Sequence, residues 1–326
     1  MRDPALFFQP AVYEHAAAVI HRTPWEVSRN EDLLYQAHAA AYELYHHTPV
    51  TVGIDIYNPE AEAYGAQVTP TEGFGIPTIT VPLFHDPTQL LELEPFDPNT
   101  AGRIGMLIRV GQRLKARFPE ADVRIPVSGP FSMASVLLGF ETLLYAALVK
   151  ADLLAQGLQR LAVYQRGFLQ AIQDAGLKVT LFESAATPPL ISPDIFTQIE
   201  LPALSQLVAL AGRIQGFTPA LIIGGDTALL VNELCSTGAT YLICPAETDQ
   251  QQFLDKAKAH PEVMIRINMI SRIVSEGTRE EIAGEVRRML ALAAQREKVC
   301  IGTGVLPYET PKENVFYISE LLQQNG

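Results

Sequence analysis

Several short segments of this 326-residue chain place polar side chains at the ends of apolar runs, where chemistry is usually found. Asp55 stands in Gly53-Ile54-Asp55-Ile56-Tyr57, an acid among apolar neighbours. A carboxylate there is either buried against a partner or placed to handle protons or cationic groups, because unpaired burial raises its pKa and costs stability. Ser184 closes the run Phe182-Glu183-Ser184. No G-x-S-x-G elbow surrounds it, so its hydroxyl suits hydrogen bonding better than nucleophilic attack. Asp55 and Ser184 are the two candidate catalytic residues, and Tyr57 is a candidate for holding substrate beside them.

Further candidates for substrate binding follow other apolar runs. Ser128 and Ser132 flank a Gly-Pro pair in Ser128-Gly129-Pro130-Phe131-Ser132, where glycine lets backbone approach a ligand or simply makes a turn. Asp226 follows paired glycines in Gly224-Gly225-Asp226-Thr227 and reads equally as an anion cradle's neighbour or a helix N-cap. Asn268 ends an apolar run. Thr303 lies in Gly302-Thr303-Gly304, where backbone amides can meet an anion or a tight turn can form.

Metal chemistry is not indicated. The histidines at 15, 21, 38, 46, 47, 85 and 260 and the cysteines at 235, 244 and 300 have no ligand spacing, and His46-His47 reads as a solvated helix end. The formal net charge of -12, with no Lys/Arg run, argues against nucleic acid or an anionic membrane as partner. Few cysteines, no stretch near ~18 consecutive apolar residues and no signal core lead to the expectation of a cytoplasmic protein without a membrane span.

These residues need a frame that brings strand ends together. Short β-branched runs, each followed by turn residues and an amphipathic helical stretch, predict strands at 50–55, 77–82, 123–128, 179–184, 220–225, 241–245, 263–268 and 299–303. Eight buried parallel strands alternating with helices predict a (β/α)8 TIM barrel over 49–326, an open doubly wound sheet being the alternative. Residues 1–48 read as an N-terminal helical segment beside it. Thr278 with Glu281, Thr310-Pro311 and Ser192-Pro193 mark helix starts.

Together these motifs resemble the uroporphyrinogen decarboxylase superfamily, single (β/α)8 barrels that include the haem-pathway decarboxylase and cobalamin-dependent methyltransferases. The resemblance rests on Gly53-Ile54-Asp55 with Glu62-Ala63-Tyr64-Gly65-Ala66, on the serine, glycine and Asn268 motifs above, on Glu276-Gly277-Thr278, and on Pro307-Tyr308-Glu309-Thr310-Pro311-Lys312-Glu313-Asn314-Val315. It covers the chain from about Asp55 onward. It implies that Asp55 stands where the decarboxylase holds pyrrole nitrogens and Ser184 where a serine contacts substrate. The decarboxylase's tyrosine and histidine are replaced by Val136 and Thr303, and its N-terminal arginine segment has no counterpart. A substrate with eight carboxylates would lack its guanidinium partners. In the thiol-using methyltransferases zinc is held at places occupied here by Ile222, Gly224 and Val305, none a ligand.

The resulting expectation is a zinc-free enzyme with no tightly bound cofactor. It transfers a methyl group to or from a corrinoid (cobalamin) substrate, with a non-thiol small-molecule partner such as a folate. A corrinoid protein as partner and a homodimer are further expectations. The alternatives are decarboxylation of a tetrapyrrole acid and a non-catalytic small-molecule-binding barrel.

Overall fold

The computed structural model describes residues 8–325. Eight parallel strands form one curled sheet: β1 (Phe8–Ala11), β2 (Val50–Thr51), β3 (Val123–Ser128), β4 (Lys178–Phe182), β5 (Ala220–Ile222), β6 (Tyr241–Cys244), β7 (Met264–Met269) and β8 (Val299–Val305). The spatial order is β1-β8-β7-β6-β5-β4-β3-β2. Helices between successive strands pack on the outside, giving the TIM-barrel arrangement expected from the β-then-α alternation. β1 and β2 form the two ends of this strand order.

Seven of the eight predicted strands, 50–55 and those from 123–128 onward, correspond to β2 through β8, and the eighth does not. The segment 77–82 is not a strand: it makes only an isolated antiparallel bridge from Thr78 to Thr69. Pro77 and Pro82 lack the amide donors that a ladder needs. The missing strand is β1, which pairs with β8 through Phe8 and Ile301 and through Gln9 and Gly302. Segment 1–48 therefore supplies a barrel strand as well as the helices His15–Val19, Pro24–Ser28 and Glu31–Tyr45. The polar Gln9 and the proline at 10 interrupt the apolar run that would have revealed it.

Capping chemistry sets the helix starts at two of the expected places. Thr278 and Glu281 form a reciprocal capping box, and Ser192 accepts the amide of Ile195. Thr310 does not cap: its buried hydroxyl has no partner, and the last helix begins at Lys312. Two helices, Pro130–Val149 and Pro193–Gln215, are long and apolar enough to cross a membrane, although half of each is buried inside the protein. Counting uninterrupted apolar residues hides them, because single polar residues break runs whose mean hydropathy is high.

His46-His47 is not a solvated pair. His47 is 2% exposed, and neither ring nitrogen has a hydrogen-bond partner. Burial pushes its imidazole down to about 3, so the ring is neutral in the fold and must charge on unfolding. The unfolded chain binds the extra proton, so stability is whole above about pH 6.5 and falls as pH drops toward 3. We expect His47→Leu to remove about 2 kcal/mol of the loss between pH 7 and 5 in denaturant midpoints. An identical pH slope in the variant would contradict this.

Candidate active site

A cavity of about 390 Å³ opens at the carboxyl ends of the strands. Asp55, Tyr57, Ser184 and Asn268 all line it, although they come from the loops or ends of three different strands. Only the convergence of strand ends in a curled parallel sheet brings residues so far apart in sequence to one opening.

Asp55 is 3% exposed and is held on both oxygens. Arg103 donates from Nη1 to Oδ1 at 2.9 Å and from Nη2 to Oδ2 at 2.8 Å, a bidentate pair. Asn58 Nδ2 donates to Oδ2 at 3.0 Å. The same guanidinium donates from Nε to Glu62 at 2.6 Å and from Nη1 to the Ser28 carbonyl at 3.0 Å. Glu62 in turn accepts from Arg29, so the motif residue Glu62 anchors the arginine that anchors Asp55. Asp55 is thus a fixed negative charge beside the cavity with its partner already in place.

Ser184 is the most open of the four. Tyr57 donates its hydroxyl to Ser184 Oγ at 2.7 Å, which leaves the serine proton for a ligand. Burial pushes the Tyr57 phenol up, so it stays a donor at any working pH. Ser184's position is fixed from behind: its amide donates to Ser132 Oγ at 2.8 Å, and the Ser132 hydroxyl donates to Glu183. Glu183 also accepts the amides of Phe131 and Ser132 at 3.1 and 3.0 Å, at the start of the helix Pro130–Val149. A Cβ on Gly129 would stand 2.3 Å from Glu183 Oε2, so this contact requires glycine.

The other four sequence candidates lie outside the cavity lining. Ser132 positions Ser184 as described. Ser128 is buried, with its amide donated to Glu60 at 2.6 Å. Asp226 accepts from Thr248 at 2.7 Å. Thr303 is fully buried inside β8, and its hydroxyl accepts the amide of Ala11, tying β8 to β1. The 302–304 segment is strand, not a turn, so its amides serve the ladder.

Two lining residues escaped the sequence reading. Glu14 follows β1, is 9% exposed, and leaves Oε2 without a partner. Burial raises its carboxyl to about 7, in the range suited to proton transfer near neutral pH. The undetected strand β1 hid its strand-end position. Arg266 lies in mid-β7, two residues before Asn268 and so on the same face, and donates from Nε to Asn268 Oδ1 at 3.1 Å. The period of two from Asn268 was the available signal.

The walls are mainly apolar, including Ile54, Phe182 and Ile243. Ile222, Gly224 and Val305, the residues that the resemblance sets against the zinc ligands of thiol-using methyltransferases, also line the cavity. No group of three or more His, Cys, Asp or Glu able to hold a metal occurs among the described residues. These lining residues do not offer the donor set that zinc requires.

Known proteins share this fold. A methyltransferase structure from Methanosarcina mazei superposes with a TM-score of 0.82, covering 97% of this chain and 92% of that one at 20% identity. A β-glycosidase from Thermosphaera aggregans shares the barrel at a TM-score of 0.50 and 11% identity, covering 100% of this chain and 98% of its own. In sequence, the methylcobamide:CoM methyltransferase MtaA of Methanosarcina barkeri is 24% identical over 203 residues. That match takes in 60% of this chain and 56% of the relative's length. The model of the uroporphyrinogen decarboxylase (URO-D) family matches residues 7–324, and with nearly the whole chain so matched, this protein belongs to that family.

Proposed function

We propose that this protein is a methyltransferase that moves a methyl group between a corrinoid and a small, non-thiol partner such as a folate. One observation carries the reading: Asp55, Tyr57, Ser184 and Asn268 converge on a cavity whose wall has Ile222, Gly224 and Val305 at the places that hold zinc in thiol-using relatives. Kinship with methyltransferases supports it. The volume, about 390 Å³, lies toward the small end of ligand pockets at ~300–1,000 Å³. A small molecule fits such a volume, and a corrin ring would have to bind outside it. The corrinoid supplies the cobalt centre that carries the methyl group.

The chain's own residues bind and orient the partner and move its proton. Ser184 donates a hydrogen bond to the partner's heteroatom while Tyr57 fixes the serine rotamer. The Asn268 amide NH2 offers a second donor, since its oxygen is taken by Arg266. The Asp55 charge, fixed by Arg103, orients polar hydrogens of the ligand. Transfer of a methyl cation to a neutral O–H or N–H releases one proton, and the reverse consumes one. Glu14 is the cavity carboxyl poised to carry it.

Decarboxylation of a tetrapyrrole acid fits less well. Its many carboxylates need several guanidiniums, and Arg266 is the single arginine among the cavity-lining residues.

Ser184→Ala tests the reading. We expect the fold to persist and methylcobalamin to keep protecting the protein thermally. We expect methyl transfer to fall about 100-fold, the scale for one oriented hydrogen-bond donor at a reacting centre. A variant as active as the wild type would remove Ser184 from the chemistry.

A further inference from the structure

Arg266 is 4% exposed on the floor of the cavity, yet it has no carboxylate partner among the described residues. Its polar neighbours are neutral: Asn268 Oδ1 accepts from Nε, and the Tyr241 hydroxyl, bonded to Gln9, lies nearby. Every other buried arginine-carboxylate contact of the site is closed, as Arg103 with Asp55 and Glu62 illustrates. A desolvated guanidinium without an anion is unfavourable, and one that faces a cavity is satisfied when an anionic ligand arrives.

The fold makes room for this side chain. A Cβ at residue 302 would lie 2.5 Å from Arg266 Cδ, so Gly302 in β8 lets the arginine stem cross the barrel interior. The surrounding charges do not cancel it. Asp55 is neutralised by Arg103, Glu247 is exposed on the rim, and Glu14 is only partly ionised near neutral pH. Above the guanidinium the walls are apolar, with Ile54, Ile222, Ile243 and Val305 among them.

We infer that the floor of this cavity binds the carboxylate of a small, largely apolar organic acid, with the Arg266 guanidinium as its anchor. The inference rests on the proposed substrate role of the cavity and concerns which small acids that cavity admits. The carboxylate pairs with Arg266, the apolar body fills the cavity, and the reacting end points to Ser184 and the mouth. The space suffices, since a dry cavity of ~150 Å³ already holds benzene.

Benzoate and its uncharged isostere benzamide are the probes, read by melting temperature and by calorimetric titration of the full chain at pH 7.5. Benzoate is expected to protect and benzamide to bind at least about tenfold more weakly. Arg266→Met should weaken benzoate about 10- to 100-fold. Should that variant not fold, Asn268→Asp serves instead. It retains the arginine, puts a carboxylate at the 3.1 Å contact with Nε, and should lose benzoate to the same extent. Equal binding of benzamide, no benzoate binding by the wild type, or full benzoate affinity in Asn268→Asp would overturn the inference. Demethylation of methylcobalamin is assayed separately on the same preparations. Benzoate selectivity without demethylation keeps the anion floor and removes methyl transfer, and demethylation without selectivity does the reverse.

Discussion

Arg103→Met is expected to destabilise the protein by about 3–5 kcal/mol, the usual loss when one partner of a buried ion pair is removed. The reason is geometric. Arg103 is 8% exposed and is shared by Asp55, Glu62 and the Ser28 carbonyl, so methionine leaves two carboxylates facing an apolar contact. Glu62 keeps Arg29, whereas Asp55 keeps only Asn58. Asp55→Asn combined with Arg103→Met should therefore recover part of the loss, and a double-mutant cycle in denaturant gives the coupling directly. A loss below 1 kcal/mol for Arg103→Met would mean that Asp55 is solvated or free in solution, not locked as the structure has it.

Glu14→Gln should act in the opposite sense, and in a pH-dependent way. Burial raises the Glu14 carboxyl from 4.5 to about 7, so the folded state prefers it protonated. The penalty for ionising it is absent below about pH 4.5, grows as pH rises to about 7, and is constant above that. At 1.36 kcal/mol per pH unit it amounts to about 3 kcal/mol. We expect Glu14→Gln to be more stable than the wild type by up to that amount at pH 8 and no more stable at pH 4, measured by denaturant unfolding. The same change should abolish the limb near pH 7 in the pH profile of turnover, because the proton carrier is gone. A gain equal at pH 4 and pH 8 would show that packing, and not the charge, limits stability there.

The sequence made the barrel legible because most of its strands are buried on both faces. β6 reads as a continuous apolar run, and β3, β4 and β7 as mainly apolar runs with two polar residues each, all bounded by turn residues. β1 was opaque because Gln9 and Pro10 interrupt its four residues, and the apolar 77–82 segment took its place in the count. For the site, position at a strand end was the useful signal. It led to Asp55, Ser184 and Asn268, which share the cavity. It also led to Thr303 and Ser128, whose neighbours are β1 and Glu60, because position alone does not say which way a side chain faces. Arg103 is 48 residues from Asp55 in a helix-leading position, and no local pattern links the two. Arg266 was hidden by its place in mid-strand, one layer below the strand end.

The most direct test of methyl transfer without the zinc ligands is the visible spectrum of methylcobalamin mixed with the purified protein and tetrahydrofolate in the presence of a strong chelator. Loss of the cobalt–methyl band is expected, at a rate that falls about 100-fold in Ser184→Ala. An unchanged band under these conditions, with turnover appearing only when zinc and a thiol are supplied, would contradict it.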